Sequence, residues 1–217
     1  MNNLMATAKT ASISAATHKQ PLAKLGTILP WLLIVCGVIG IVAAFAITQD
    51  KFELASNPSF QPICDLNPII SCGSVMKSAQ SHVFGFSNTY IGLIGFPIVV
   101  TTGVAMLAGA KFKRWWWIGM QVGLTFGVAF AYWLLFESMF RIHALCPWCL
   151  SVDVVITTAF WYVTLWNFSN GFIKLPARFK TAGQFIKRHH ADILVFWFVL
   201  VIAEILHHFW YYFGQHL

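Results

Sequence analysis

The stretch "CPWCLSVDVVITTAFWYVTLWNF", Cys146–Phe168, opens with two thiols three residues apart and then runs on as hydrocarbon broken by a single acid, Asp153. A helix needs about 20 mostly apolar residues to cross a bilayer, and this stretch has that length. It does not alternate with period two, so it is no strand of a membrane barrel. Four more stretches read the same way: Ile28–Ile47, Thr89–Ala110, Trp115–Phe136 and Ile193–Phe213. The chain is 58% hydrophobic and 10% charged over 217 residues, with a mean hydropathy of +0.70. A soluble domain carries about 25% charged residues. The expectation is an all-α integral membrane protein: one membrane domain over residues 25–217, preceded by a disordered cytoplasmic tail, residues 1–24, rich in Ala, Ser, Thr and Lys.

A net charge of +7 invites a nucleic-acid reading, but the placement of the charge excludes it. Lys9, Lys19 and Lys24 precede the first span. Lys111, Lys113 and Arg114 join the second to the third. Lys174, Arg178, Lys180, Lys187 and Arg188 join the fourth to the fifth. Eleven of the fourteen basic residues thus fall on one side, leaving Lys51, Lys77 and Arg141 for the other. That is a positive-inside pattern. It predicts a multi-pass cytoplasmic (inner) membrane protein in contact with the lipid bilayer, with its N-terminus inside and its C-terminus outside. Trp115, Trp116 and Trp117 at the inner start of the third span, and Trp210, Tyr211 and Tyr212 at the outer end of the fifth, read as interfacial belts. Lys19 and Lys24, the apolar run and Ala44-Phe45-Ala46 also follow the order of a cleavable signal, but both leading regions are longer than such signals use.

Of five cysteines, Cys36 lies within the first span and reads as a small hydrophobe. Cys64 and Cys72 lie in the Thr48–Asn88 loop, and Cys146 and Cys149 open the fourth span. The charge rule puts all four on the oxidising face. Pro147 suits the first turn of a helix, and thiolates at a helix N-terminus are stabilised by free N–H groups and the dipole, so Cys146 and Cys149 read as reactive. A structural disulfide is the plain alternative, although so tight a loop gains little chain entropy from closure. A four-cysteine zinc site is a further one, requiring both pairs to converge on a tetrahedron at the lipid boundary. In the loop, Asn67 is placed to cap a helix begun by Pro68. Ile69, Cys72, Met76 and Ala79 would share its buried stripe, turning Cys72 towards the bundle and leaving Cys64 to water.

Cys64–Val75, "CDLNPIISCGSV", followed by Ser87-Asn88 at the second span and the C-x-x-C pair at a later one, resembles the vitamin K epoxide reductase family, most closely its bacterial members, over roughly residues 28–168. The resemblance implies a four-helix bundle around a quinone (ubiquinone or menaquinone), with the fifth span outside it. It implies that electrons pass from a thioredoxin-fold (DsbA-type) dithiol oxidant to the loop pair, then to the C-x-x-C pair, then to the quinone, in support of disulfide bond formation. Cys64 would meet the partner, Cys72 would shuttle to Cys146, and Cys149 would lie beside the quinone. Asn88 would bond a quinone carbonyl, with Ser87 next to it. Animal members carry a tyrosine where this chain has Asp153, so the resemblance does not extend to epoxide chemistry or a vitamin K preference. Many bacterial members continue into a thioredoxin-like domain. This chain ends at Leu217, and the expected partner is a separate protein on the outer side.

Asp153 follows Cys149 at i+4, on one helix face. An ionisable group in a membrane helix costs about 2.5–3.5 kcal/mol on insertion scales and usually faces the bundle interior. It reads either as a proton donor or hydrogen-bond partner to a quinone, or as an acid satisfied by a neighbouring hydroxyl. Glu204, His207 and His208 have metal-like spacing but lack the second Glu-x-x-His of a di-iron bundle; a polar interfacial face accounts for them. His82 and His143 flank the cysteine regions. Two other functions compete with the thiol–quinone relay: a quinone or quinone-epoxide reductase, and a non-catalytic membrane protein with static disulfides.

Overall fold

The computed structural model describes residues 20–57, 59–173 and 180–210. Helix α1 spans Gln20–Ser56, α2 Cys72–Lys77, α3 Thr89–Leu107, α4 Arg114–Glu137, α5 Pro147–Ser169, α6 Lys180–Arg188 and α7 His190–His208. A 3₁₀ turn, Ala79–His82, follows α2, and a π turn, Ser138–Ile142, extends α4. Five of these helices are long and apolar enough to cross a membrane. The chain is an all-α multi-pass membrane protein, as its apolar runs require.

The bundle is built on α1, which packs along α3 and α5, while α4 packs on α5. All four helices supply the core: Leu29 and Leu33 from α1, Phe96 and Val99 from α3, Trp117 and Leu124 from α4, Val155 and Val163 from α5. Cys36 is buried among them, as its reading as a small hydrophobe requires. Gly40 lets α1 and α3 close, because a Cβ there would lie 2.5 Å from the Phe96 ring. Far from the cysteines, fully buried Asn167 donates from Nδ2 to Gln121 Oε1 (2.9 Å), and Gln121 Nε2 donates to Thr164 Oγ1 (2.9 Å). Such interhelical hydrogen bonds hold membrane helices in register. Helix α7 buries none of its residues and lies outside this core. It is tied on by Trp197 Nε1 to Tyr132 Oη (2.6 Å) and by His208 Nε2 to the Met139 carbonyl (2.8 Å).

Several sequence expectations need correction. Helix α1 does not stop at Ile47. The charges of Asp50, Lys51 and Glu53 end the apolar run but not the helix, which continues until Asn57. It opens at Gln20, inside the expected tail; residues 1–19 lie outside the described residues. The loop helix starts at Cys72, not Pro68, because residues 69–71 are drawn into a bridge with the start of α5. Ser71 is its cap, accepting from Ser74 N at 3.2 Å. Asn67 Oδ1 instead holds a turn, accepting from Ile69 N (3.0 Å) and Ile70 N (2.7 Å). Ile69, Cys72 and Met76 are buried as expected, while Ala79 is exposed. The tryptophan belt loses one member: Trp115 is exposed, but Trp117, two residues on and nearly opposite on the helix, is in the core. Trp210 is exposed, and Tyr211 and Tyr212 lie outside the described residues.

Candidate functional site

Both cysteine pairs lie at one end of the bundle, where α1 ends and α3 and α5 begin. The opposite end carries Lys111–Arg114, fastened by Arg114 Nε to the Phe172 carbonyl (3.0 Å). Contact between the pairs is set by backbone. Leu145 N donates to Ile69 O (2.6 Å) and Ser71 N to Leu145 O (3.0 Å), forming a parallel bridge between Ile70 and Leu145. Cys72 follows one side of this bridge and Cys146 the other. Cys64 and Cys72 form a disulfide with a Cα–Cα separation of 5.7 Å. Cys146 and Cys149 are free thiols, and Cys146 Sγ lies 3.2 Å from Cys72 Sγ. The sulfurs are wrapped by Ile47, Met76, Leu54, Val75 and Trp148.

Cys146 is the N-cap residue of α5, with Pro147 inside the first turn. The Cys149 thiol bonds its sulfur, and the Cys149 and Trp148 N–H groups point at it. Together these hold Cys146 below the ordinary thiol value against the opposing effect of burial. The sign favours reactivity: thiolate is present at a lower pH than for a free cysteine, and it is lost only as pH falls through the depressed value.

Beneath the sulfurs lies a cavity of about 660 Å³ between α3 and α4, within the range of small-molecule sites. At the cysteine end its wall includes Cys146, Cys149, Asp153, Lys51, Gln80, Ser81 and Asn88; further along it is apolar, with Ile91, Ile98, Phe126 and Phe130, and reaches Trp115 and Trp116. Gly95, Gly119 and Gly123 put no side chain into it, and a Cβ at any of the three would meet open space. Asp153 is 8% exposed and makes no hydrogen bond among the described residues. A buried polar group without a partner is costly, and this acid lies on the cavity wall beside Cys149.

The other expected contacts divide. Asn88 lines the cavity, but its amide also serves the loop: Nδ2 donates to Gln80 O (2.7 Å) and Oδ1 accepts from Val83 N (3.2 Å). One N–H of that amide has no acceptor among the described residues. Ser87 does not reach this cavity. Its Oγ accepts from Lys51 Nζ (2.9 Å) and shares a hydrogen bond with Thr89 Oγ1 (2.9 Å). His82 Nδ1 bonds Ser81 Oγ (2.7 Å), and His143 stacks on His208 with centroids 6.2 Å apart; neither reaches a sulfur.

Two features were not read from the sequence. Lys51 lines the cavity and ties α1 to the loop through Ser81 O (3.3 Å) and Ser87. Glu137, 4% exposed, accepts from Gln80 Nε2 (3.0 Å) and pairs with Arg141 (3.4 Å), clasping the loop onto α4. The signal for Lys51 was present: a lysine in helical phase with the end of the first span, before the Asn57-Pro58 stop.

A model of the vitamin K epoxide reductase family matches residues 31–164, which takes in all four clustered cysteines and Asp153. No curated protein matches the chain. The likeness read from Cys64–Val75 and the C-x-x-C pair is thereby borne out over most of the span expected for it. The family implies thiol and quinone oxidoreduction in a membrane. With five apolar helices, a loop disulfide and two free thiols gathered over one cavity, the chain belongs to the vitamin K epoxide reductase family.

Proposed function

We propose that this protein is a membrane thiol–quinone oxidoreductase that reoxidises a separate thioredoxin-fold dithiol oxidant and passes the electrons to a membrane quinone, ubiquinone or menaquinone, in support of disulfide formation. The observation that carries this reading is the 3.2 Å approach of Cys146 Sγ to Cys72 Sγ, across the junction of an oxidised and a reduced pair. Two static disulfides would not leave one pair open against the other.

The relay has a definite order. A partner thiolate reduces Cys64–Cys72. The Cys72 thiolate attacks Cys146 of a closed Cys146–Cys149 pair, forming Cys72–Cys146 and freeing Cys149. The Cys64 thiolate then attacks Cys72, restoring Cys64–Cys72 and leaving Cys146 and Cys149 as thiols. That end state has the pairing found in the structure. A bound quinone supplies a sink for two electrons and two protons. Cys149, on the cavity wall, delivers the electrons, and closure of Cys146–Cys149 resets the pair. Asp153 holds a proton one helical turn below Cys149, and the spare Asn88 N–H orients a carbonyl. Ser87 acts on this site through Lys51. The polar end and long apolar remainder of the cavity fit a polar ring with a hydrocarbon tail.

The test is reconstitution of the full chain in vesicles with a reduced DsbA-type protein and ubiquinone. One quinol should form per dithiol oxidised. Oxidation of the dithiol without quinol, or no oxidation with either quinone class, contradicts the reading.

The basic residues at the end away from the cysteines support an orientation with both pairs outside. Reporter fusions after Gln49 and after His143 should both read as external; a cytoplasmic signal at either would refute it.

A further inference from the structure

We propose that Ile63 and Leu66, which bracket Cys64, form the docking surface through which this protein selects its electron donor, a dithiol protein with an apolar groove beside its reactive cysteine. The proposal rests on the relay above. Ile63 is 96% and Leu66 71% exposed, the two most exposed large apolar side chains among the described residues, and neither lies on a spanning helix. Phe84 and Phe86, also exposed in the loop, have ring partners in Phe130 and Tyr90; Ile63 and Leu66 are more exposed than either.

Their position is tied to the chemistry. Cys72 is fully buried, while Cys64 is partly exposed, so an incoming thiolate reaches the disulfide at Cys64. Its attack forms a bond from the donor sulfur to Cys64 and breaks Cys64–Cys72, with Cys72 leaving as thiolate. The donor's second thiolate then attacks the donor sulfur, breaking its bond to Cys64. The donor ends as a disulfide, both electrons reside on Cys64 and Cys72, and the donor's two protons are free to protonate them. Any donor must therefore cover the surface on either side of Cys64.

That surface is preformed. Asp65 N donates to Pro62 O (3.0 Å), Leu66 N donates to Ile70 O (3.0 Å), and Asp65 Oδ1 accepts from Gly73 N (2.9 Å). Gly73 permits the last contact, because a Cβ there would lie 2.7 Å from Asp65 Oδ2. The backbone groups of Ile63 and Cys64 make no hydrogen bond among the described residues, and are free to pair with a donor's edge. Exposed Asn57, Ser59 and Gln61 form a polar rim. An apolar centre with a polar rim is the anatomy of a protein interface, whereas a segment dipping into hydrocarbon would carry those polar groups with it.

The experiment compares wild type, I63S/L66S and I63V/L66M in the full chain, in detergent and in vesicles. The quantity read is the ratio of kcat/KM for a reduced DsbA-type protein to that for dithiothreitol, which needs no groove. The serine pair should lower this ratio at least about tenfold, through KM of the protein dithiol, as loss of an interface anchor does, and the conservative pair should restore it. An unchanged ratio overturns the proposal. So does a loss confined to vesicles, which would assign the side chains to lipid. Should wild type oxidise dithiothreitol but no protein dithiol, the relay's donor is wrong and this surface falls with it; failure of the ratio alone leaves the relay standing.

Discussion

Replacing Cys149 by alanine should reduce quinone turnover to the uncatalysed background while leaving the reaction with the dithiol partner able to proceed once. The loop disulfide is chemically intact in this variant, so the partner can still reduce Cys64–Cys72. The electrons then have no closed C-x-x-C pair to enter. Cys64→Ala should fail at the other end: the partner finds no disulfide on the loop, yet quinone is still reduced by electrons already on Cys146 and Cys149. Members of a relay act as a unit, so each single loss should cost nearly as much steady-state turnover as any combination. Rapid mixing separates the two defects, since one variant lacks the fast phase of partner oxidation and the other lacks the fast phase of quinone reduction. Normal turnover by Cys149→Ala would refute the order of the relay.

Asp153→Asn should have the next largest effect. The substitution keeps size and polarity but removes an acidic proton from the cavity wall. A positioned general acid contributes about 10²–10⁴-fold, so quinone reduction should slow by that order. The loop exchange and the affinity for the dithiol partner, both above the cavity, should be retained. The pH dependence of turnover, followed across a range of about 5 to 9 that brackets a perturbed carboxyl, should change form as well as height. Wild-type rates throughout would remove Asp153 from the mechanism and leave the four cysteines untouched.

Much of this was legible in the residues. Apolar length alone identifies the five spans, because no other solvent tolerates such runs. The C-x-x-C pair with Pro147 marks a helix start, because proline is accepted in a first turn and thiolate is favoured there. The order of residues does not reveal where elements meet. Nothing local to Ile70 or Leu145 announces their bridge, yet that bridge sets Cys72 against Cys146 and displaces the start of α2 from Pro68 to Cys72. Hydropathy likewise loses α1 at its first charges, so Lys51 reads as a loop residue when it is on the cavity wall. Trp117 shows the same limit: adjacent tryptophans look alike in sequence, and helix phase sends one to the core while Trp115 stays exposed. Asn88 was expected on a ligand and is first a strut of the loop, a role visible only once Gln80 and Val83 are beside it.

The central claim is that electrons cross from one pair to the other through Cys72 and Cys146. Cys64→Ala combined with Cys149→Ala leaves only these two of the four clustered cysteines. Mild oxidation followed by peptide mapping without reduction should recover the Cys72–Cys146 disulfide as the main cross-link, with Cys36 remaining a free thiol. Recovery of Cys72 and Cys146 as free thiols, or cross-linked between molecules instead, would contradict the relay.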